Sequence, residues 1–140
     1  MIEEDYVSFE TAKLLKEKGF DWDCKQVYDL VRPQSCADGK MYDNFPDENP
    51  NAYDELVSAP TLQIAMKWLR EVHHLFIGVE PRLSFTDYYW ITANVYRVRK
   101  KNSLYHAEPV DDYSCVACCD GDSFEDACGA AIKYCLEKLI

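Results

Sequence analysis

The sequence predicts an α+β fold, a single domain in which three helices pack on an antiparallel sheet of about three to five strands. Three observations support this class. Apolar residues recur at helical spacing in three segments, and they alternate along one long strand between residues 88 and 99. The order from residue 58 onward is helix, three strands, helix. With 140 residues, 48% of them hydrophobic, the chain can bury a large core.

The domain is expected to span residues 1–140 in three parts. Residues 1–45 form an appendage of one helix and a hairpin, residues 46–57 form a connector, and residues 58–140 form the main α-β-β-β-α unit. The connector begins with PDENPN at 46–51, where two prolines interrupt regular structure.

Local signals define the appendage. Ser8 is a suitable N-cap for the first helix, and Gly19 fits the left-handed position just beyond the helix end. Weak alternation over residues 25–31 and again over residues 40–45 predicts a loose hairpin.

The segment from Ser58 to Phe76 has the clearest helical pattern in the chain. Ser58 is the predicted N-cap, with Pro60 in the first turn. The predicted buried stripe consists of Leu62, Ala65, Met66, Leu69, Val72 and Phe76, with Ile64, Trp68 and Leu75 beside it.

Strand patterns follow this helix. Residues 76–80 form a short predicted strand that Pro81 ends, and residues 88–99 form the strongest strand. Residues 104–108 are its hairpin partner, and residues 113–119 add another short strand.

The last predicted helix runs from Ser123 to about Leu139, and Ser123 with Asp126 has the spacing of a capping box. Its predicted stripe is Phe124, Cys128, Ala131, Cys135 and Leu139, with Ala127, Ile132 and Leu136 beside it.

The net charge of −10 is unevenly distributed. Residues 1–57 carry −8, residues 58–99 carry +2, and residues 100–140 carry −4. An acidic surface repels phosphate, so we expect neither nucleic acid nor a membrane as a partner. The acidic start MIEEDY and the lack of a long apolar run predict a cytoplasmic protein without a signal peptide.

The seven cysteines are expected to be thiols in a reducing compartment. The candidate metal ligands are Cys24, Cys36, Cys115 and Cys118. The first pair is spaced too widely for a usual zinc site, and acids beside the second pair disfavour thiolates. No metal or other cofactor is therefore expected, and a metal or redox module stays open as an alternative.

Catalytic patterns are weak, and the sequence favours a non-enzymatic protein. His73 and His74 lie near a helix C-terminus, where the macrodipole favours histidine, and no nucleophile or base pairs with them. No catalytic residue is therefore assigned. The candidate interaction residues lie on the long strand: Tyr88, Trp90, Tyr96, Arg97 and Arg99.

The α-β-β-β-α order resembles that of double-stranded-RNA-binding domains in topology. Those domains contact phosphate through basic residues at the start of the last helix. Here the corresponding residues are acidic, which argues against RNA binding. They are Asp120, Asp122, Glu125 and Asp126.

The phrases YVSFETAKLLKEKGF, SAPTLQIAMKWLREVH and SFEDACGAAIKYCLEKLI resemble those of small uncharacterised proteins encoded in phage and prophage-like regions of gut anaerobic bacteria. The resemblance implies an accessory protein of a mobile element and transfers no site residue. We expect a protein-interaction role with an unknown protein partner, and a homo-oligomer is compatible with the sequence. An acidic DNA mimic that occupies a nucleic-acid-binding protein is the other alternative.

Overall fold

The computed structural model describes residues 5–31, 41–83, 89–101, 104–109, 120–121 and 123–140. The fold is α+β, as predicted. The helices are α1 (Phe9–Glu17), α2 (Leu62–His73) and α3 (Phe124–Tyr134). The strands are β1 (Cys24–Asp29), β2 (Tyr42–Glu48), β3 (Leu56–Ser58), β4 (Leu75–Leu83), β5 (Tyr89–Lys101), β6 (Leu104–Pro109) and β7 (Asp120–Gly121). The predicted helix, three strands and helix after residue 58 are present, with the short β7 added before α3.

The chain forms two compact units, Met1–Ala65 and Met66–Ile140, and the boundary between them falls inside α2. The predicted division of one domain into an appendage, a connector and a main unit stays a prediction.

Helix α1 has the caps that its sequence predicts. The Ser8 hydroxyl accepts a hydrogen bond from the Thr11 N–H at 3.2 Å. At the other end, Gly19 has φ 93°, and the Phe20 N–H donates to the Leu15 carbonyl at 2.9 Å. This 6→1 bond is the mark of a Schellman motif, which satisfies carbonyls that the helix leaves without a partner.

The first unit contains a three-stranded antiparallel sheet in the order β2-β1-β3. The predicted hairpin of β1 and β2 is confirmed. The buried apolar residues of the first unit include Val7, Ala12, Leu15, Phe20, Val27, Tyr28 and Val57. The buried Tyr28 hydroxyl donates to the Val7 carbonyl at 2.7 Å. The phenol therefore has a hydrogen-bond partner inside the core and does not destabilise it.

The prediction that PDENPN interrupts regular structure was wrong over its first half. Strand β2 continues through Pro46 to Glu48, a 3-10 helix follows at Pro50–Ala52, and β3 then pairs with β1. The Asn51 side chain connects this segment to its surroundings. Its amide donates to the Phe20 carbonyl at 2.9 Å, and its oxygen accepts from the Ser58 N–H at 2.8 Å.

Helix α2 begins three residues later than predicted. Ser58 lies in β3 instead of acting as the N-cap, because the following Ala59 N–H donates to the Gln26 carbonyl at 2.9 Å and keeps this segment extended. The capping side chain is Thr61, whose hydroxyl accepts from the Ile64 N–H at 3.2 Å.

The same helix ends at His73, not at Phe76. His74 adopts a left-handed φ of 57°, and the chain then enters β4. The buried face is narrower than the predicted stripe, and consists of Leu62, Ala65, Trp68 and Leu69. Ile64, Val72 and Phe76 are 37%, 48% and 39% exposed, so their assignment to buried positions was wrong.

The second unit contains a sheet in the order β4-β5-β6, with β7 also paired to β5. All described pairs are antiparallel. The long strand β5 and its partner β6 confirm the predicted hairpin. The strand predicted at residues 113–119 lies outside the described residues.

Pro81 does not end β4, which continues to Leu83 with Pro81 opposite Ile91. The Val98 N–H donates to the His74 carbonyl at 2.9 Å, and this bond determines which residues of β4 form hydrogen bonds with β5. In this phase even-numbered residues of β4 direct their backbone groups toward β5, and Pro81 directs its nitrogen away from it. The missing N–H therefore removes no bond between β4 and β5.

Helix α3 packs on the face of β5 that contains Ala93. Ala93, Ala127 and Ala131 are fully buried together, surrounded by Ile77, Val79, Ile91, Val95 and Tyr134. The Ser123 hydroxyl accepts from the Asp126 N–H at 3.1 Å, as the predicted cap requires. The helix continues as a π-helical turn to Leu139. Phe124 is 43% exposed and not part of the stripe, because it lies in the first turn, before the first buried residue, Ala127.

We expect Leu69→Ala to lower the free energy of unfolding by about 2–5 kcal/mol, because Leu69 is fully buried and truncation leaves a cavity. Lys67→Ala is the matched control. Lys67 is exposed on the same helix, in an ion pair with Glu71 at 3.9 Å, and its loss should change stability by less than about 0.5 kcal/mol. Urea denaturation measures both variants, and equal midpoints would contradict the burial assigned to α2.

Two glycine substitutions should have opposite effects. Gly19→Ala forces a side chain into the left-handed region and should destabilise the protein by about 1–2 kcal/mol. Gly129→Ala, inside α3 with open space around its position, should stabilise it by about 1 kcal/mol through helix propensity. Thermal unfolding of the two variants beside the native chain tests the signs, and a shift in the same direction for both would contradict them.

Candidate interaction surface

Strand β4 has one hydrogen-bonded neighbour among the described strands, β5. Its side chains alternate between two environments. Ile77 and Val79 pack against the alanine cluster under α3, whereas Phe76, Gly78 and Glu80 are exposed. β4 therefore combines a buried face with an exposed face that begins with an aromatic ring.

Phe76 is the centre of this exposed face. Its ring is contacted by the Arg70 guanidinium, at 5.9 Å from the ring centroid, and it lies opposite the half-buried Tyr96 in the ladder. Val72, on the last turn of α2, is also exposed. We call Arg70, Phe76 and Tyr96 the Phe76 surface.

The Phe76 surface contains two aromatic rings and an arginine side chain. Aromatic residues and arginine are enriched where proteins bind each other, and a ring that leaves water on binding supplies much of the affinity. The Arg70 guanidinium adds a cation-π contact that holds the ring beside α2.

The predicted interaction residues fall on both faces of β5. Tyr96 belongs to the Phe76 surface. Arg97 lies on the other face, where its guanidinium donates to the Leu139 carbonyl at 3.4 Å and so binds the end of the C-terminal helix. Trp90 and Arg99 lie on β5 opposite Arg82 and His106, and Tyr88 lies outside the described residues.

The sequence pattern did not identify Val72 and Phe76 as surface residues. It extended one helical stripe through the end of α2, which placed Val72 and Phe76 in the core. The signal that separates them is the change of period after His74. Leu75, Ile77 and Val79 alternate as in a strand, which leaves Phe76 on the opposite face.

Two described cysteines have unreactive surroundings. Burial raises the pKa of the Cys24 thiol to about 11, and the negative charge of Asp23 acts in the same direction. Burial also raises the pKa of Cys128 to about 11, with Glu125 adding to the shift. Both side chains are neutral thiols at neutral pH and poor metal ligands in that form.

The other metal candidates, Cys36, Cys115 and Cys118, lie outside the described residues. Within the described ranges no three His, Cys, Asp or Glu side chains are grouped so that they could hold a metal ion.

His73 and His74 have different surroundings. His73 packs edge-on against Trp68 at 4.7 Å between ring centroids, and its Nε2 is buried without a hydrogen-bond partner. Burial lowers the pKa of His73, and the neighbouring His74 lowers it further. His74 is exposed, in the turn that starts β4.

A cavity of about 390 Å³ lies in the first unit, between the start of α2 and β1. It is lined by Tyr6, Asp23, Cys24, Lys25, Gln26, Ala59, Pro60, Thr61, Gln63 and Ile64. Its one thiol is the protonated Cys24, so the cavity holds no activated nucleophile from a cysteine.

No protein-family model, curated protein or solved structure matches this chain. In the described part of the chain, no helix has the length and apolar character needed to cross a membrane.

Cys24 and Cys128 should resist alkylation in the native protein. A pKa of about 11 against the ordinary 9.0 leaves roughly a hundredfold less thiolate near neutral pH, and burial restricts access further. Iodoacetamide labelling followed by peptide mass spectrometry measures this, with the urea-unfolded chain as control. Equal labelling rates of these two residues in native and unfolded protein would contradict the assignment.

The lowered pKa of His73 predicts a loss of stability in acid. Above the ordinary value of 6.5 both folded and unfolded states hold a neutral imidazole, and the folded state bears no penalty. As the pH falls below 6.5 the unfolded chain takes up the proton first, so stability decreases until the pH reaches the lower pKa of the folded state.

His73→Phe keeps a ring beside Trp68 and removes the titration. Its denaturation midpoint should depend less on pH below 6.5 than that of the native chain, whereas His74→Gln should keep most of the dependence. Identical pH profiles for the native chain and His73→Phe would show that His73 does not carry this effect.

Proposed function

We propose that this chain is a small, non-enzymatic accessory protein of phage or mobile-element origin that acts in the cytoplasm by binding protein. The sequence phrases of its three helices support the origin. The exposed Phe76 on β4, with the Arg70 guanidinium beside it, is the observation that carries the binding role.

The release of water and the formation of backbone hydrogen bonds both favour binding at β4. An exposed phenyl ring gains free energy when a partner removes it from water, at about 25 cal/mol for each Å² of apolar area. Among the described strands only β5 pairs with β4, so the other side of β4 presents backbone groups that an added strand can bind, a common mode of protein recognition. Both contributions are available at one place on the second unit.

The charge distribution supports a protein partner over a nucleic acid. The segment that contains the Phe76 surface, residues 58–99, carries +2 in a chain of −10. A partner can approach this segment without strong repulsion, whereas a phosphate backbone would be repelled by the acidic remainder of the chain. The binding role proposed here uses no cofactor.

Capture from phage-infected host lysate tests this function. The native chain should retain a protein that Phe76→Lys retains at least about fivefold less, because the loss of one buried aromatic at an interface commonly costs more than about 1 kcal/mol. Val31→Lys is the matched control, since Val31 is 69% exposed in the first unit and lies far along the chain from Phe76. The denaturation midpoint of each variant verifies its fold. Equal capture by all three chains would refute binding through the Phe76 surface.

A further inference from the structure

We infer that the partner of β4 is a second copy of this chain, paired antiparallel with it around a two-fold axis at Ile77, so that the two sheets join into one. This inference rests on the proposed function, in which β4 and the Phe76 surface bind protein. It identifies the partner that β4 binds when the chain is pure, and it gives the register of the contact. A lysate protein that binds through Phe76 would compete with the second copy for this place.

The backbone phase of β4 selects the residues available for pairing. Because the Val98 N–H bonds to the His74 carbonyl, even-numbered residues of β4 face β5. Leu75, Ile77 and Val79 therefore direct their N–H and C=O groups away from β5, toward an added strand. Pro81 is the next residue of this set.

Pro81 limits the register. Its ring occupies the place of the missing N–H and would obstruct a strand laid across it. The longest symmetric pairing that avoids Pro81 uses Leu75, Ile77 and Val79 alone. It sets Ile77 opposite Ile77 of the second copy, and Leu75 opposite Val79. Three such pairs make about six backbone hydrogen bonds.

The side chains fit this register. It places Phe76 opposite Gly78 of the second copy, in a pair whose side chains lie close together. Gly78 is exposed and has nothing within 4 Å of the position of a Cβ. The Phe76 ring can cover this glycine, a known means of stabilising glycine in a strand, and the two-fold axis repeats the contact.

The charge of the region permits self-association. Two chains of −10 repel each other over most of their surface. Residues 66–83, which contain the end of α2 and all of β4, include Lys67, Arg70 and Arg82 against Glu71 and Glu80. Copies can therefore meet at β4 with less repulsion than over the acidic first 57 residues.

Amide exchange of the purified native chain tests the inference without any variant. In spectra recorded from micromolar to millimolar concentration, the amides of Leu75, Ile77 and Val79 should become more protected as concentration rises. The amides of Phe76 and Gly78 should be protected throughout, because they bond to β5. Protection of Leu75, Ile77 and Val79 that is independent of concentration, with a monomer mass by sedimentation across the range, would overturn the inference.

Disulfide cross-linking tests the register. A mixture of Phe76→Cys and Gly78→Cys chains should form mixed disulfide dimers under mild oxidation well above the background of the native chain with its seven cysteines. Phe76→Cys mixed with Glu80→Cys is the control. Preferential cross-linking in that control, or equal yield in both mixtures, would overturn the proposed register.

These measurements separate the inference from the proposed function. A chain that is monomeric when pure but captures a lysate protein through Phe76 retains the function and loses the inference. A chain that dimerises through β4 in the stated register, with capture unaffected by Phe76→Lys, retains the inference and loses the wider function.

Discussion

The contact between three alanines sets the arrangement of the second unit. Ala93 on β5 and Ala127 and Ala131 on α3 are fully buried against one another, and their small side chains let the helix lie close to the sheet. β5 in turn pairs with β4, β6 and β7. The orientation of β4, and with it the exposure of Phe76, depends on this contact because Ile77 and Val79 on β4 pack around the same cluster.

Features that depend on neighbouring residues could be predicted from the sequence. Ser8 and Ser123 cap helices because each hydroxyl reaches a backbone N–H three residues ahead, and Gly19 ends α1 because its own backbone permits a positive φ. The alternation along residues 88–99 predicted strand β5, and Tyr96, one of the predicted interaction residues, lies on the face away from Ala93.

Features that depend on residues distant in the chain could not be predicted from the sequence. Ser58 has a suitable side chain for an N-cap, but the Gln26 carbonyl binds the next N–H and the helix starts later. Phe76 has the sequence spacing of a helical stripe, but the backbone hydrogen bond from Val98 to His74 places it in a strand. The Phe76 surface was missed for this reason, because it arises from pairing across about twenty residues of chain.

The position of the boundary between the two units has a consequence for dissecting the protein. Helix α2 has 12 residues, and a cut after Ala65 would leave four of them on one fragment and eight on the other. Isolated helices shorter than about 12–15 residues are marginal in water, so neither fragment would keep its share of α2 in helical form without help. Leu62 and Ala65 would be separated from Trp68 and Leu69, and limited proteolysis within α2 would be expected to release two destabilised pieces instead of two intact modules.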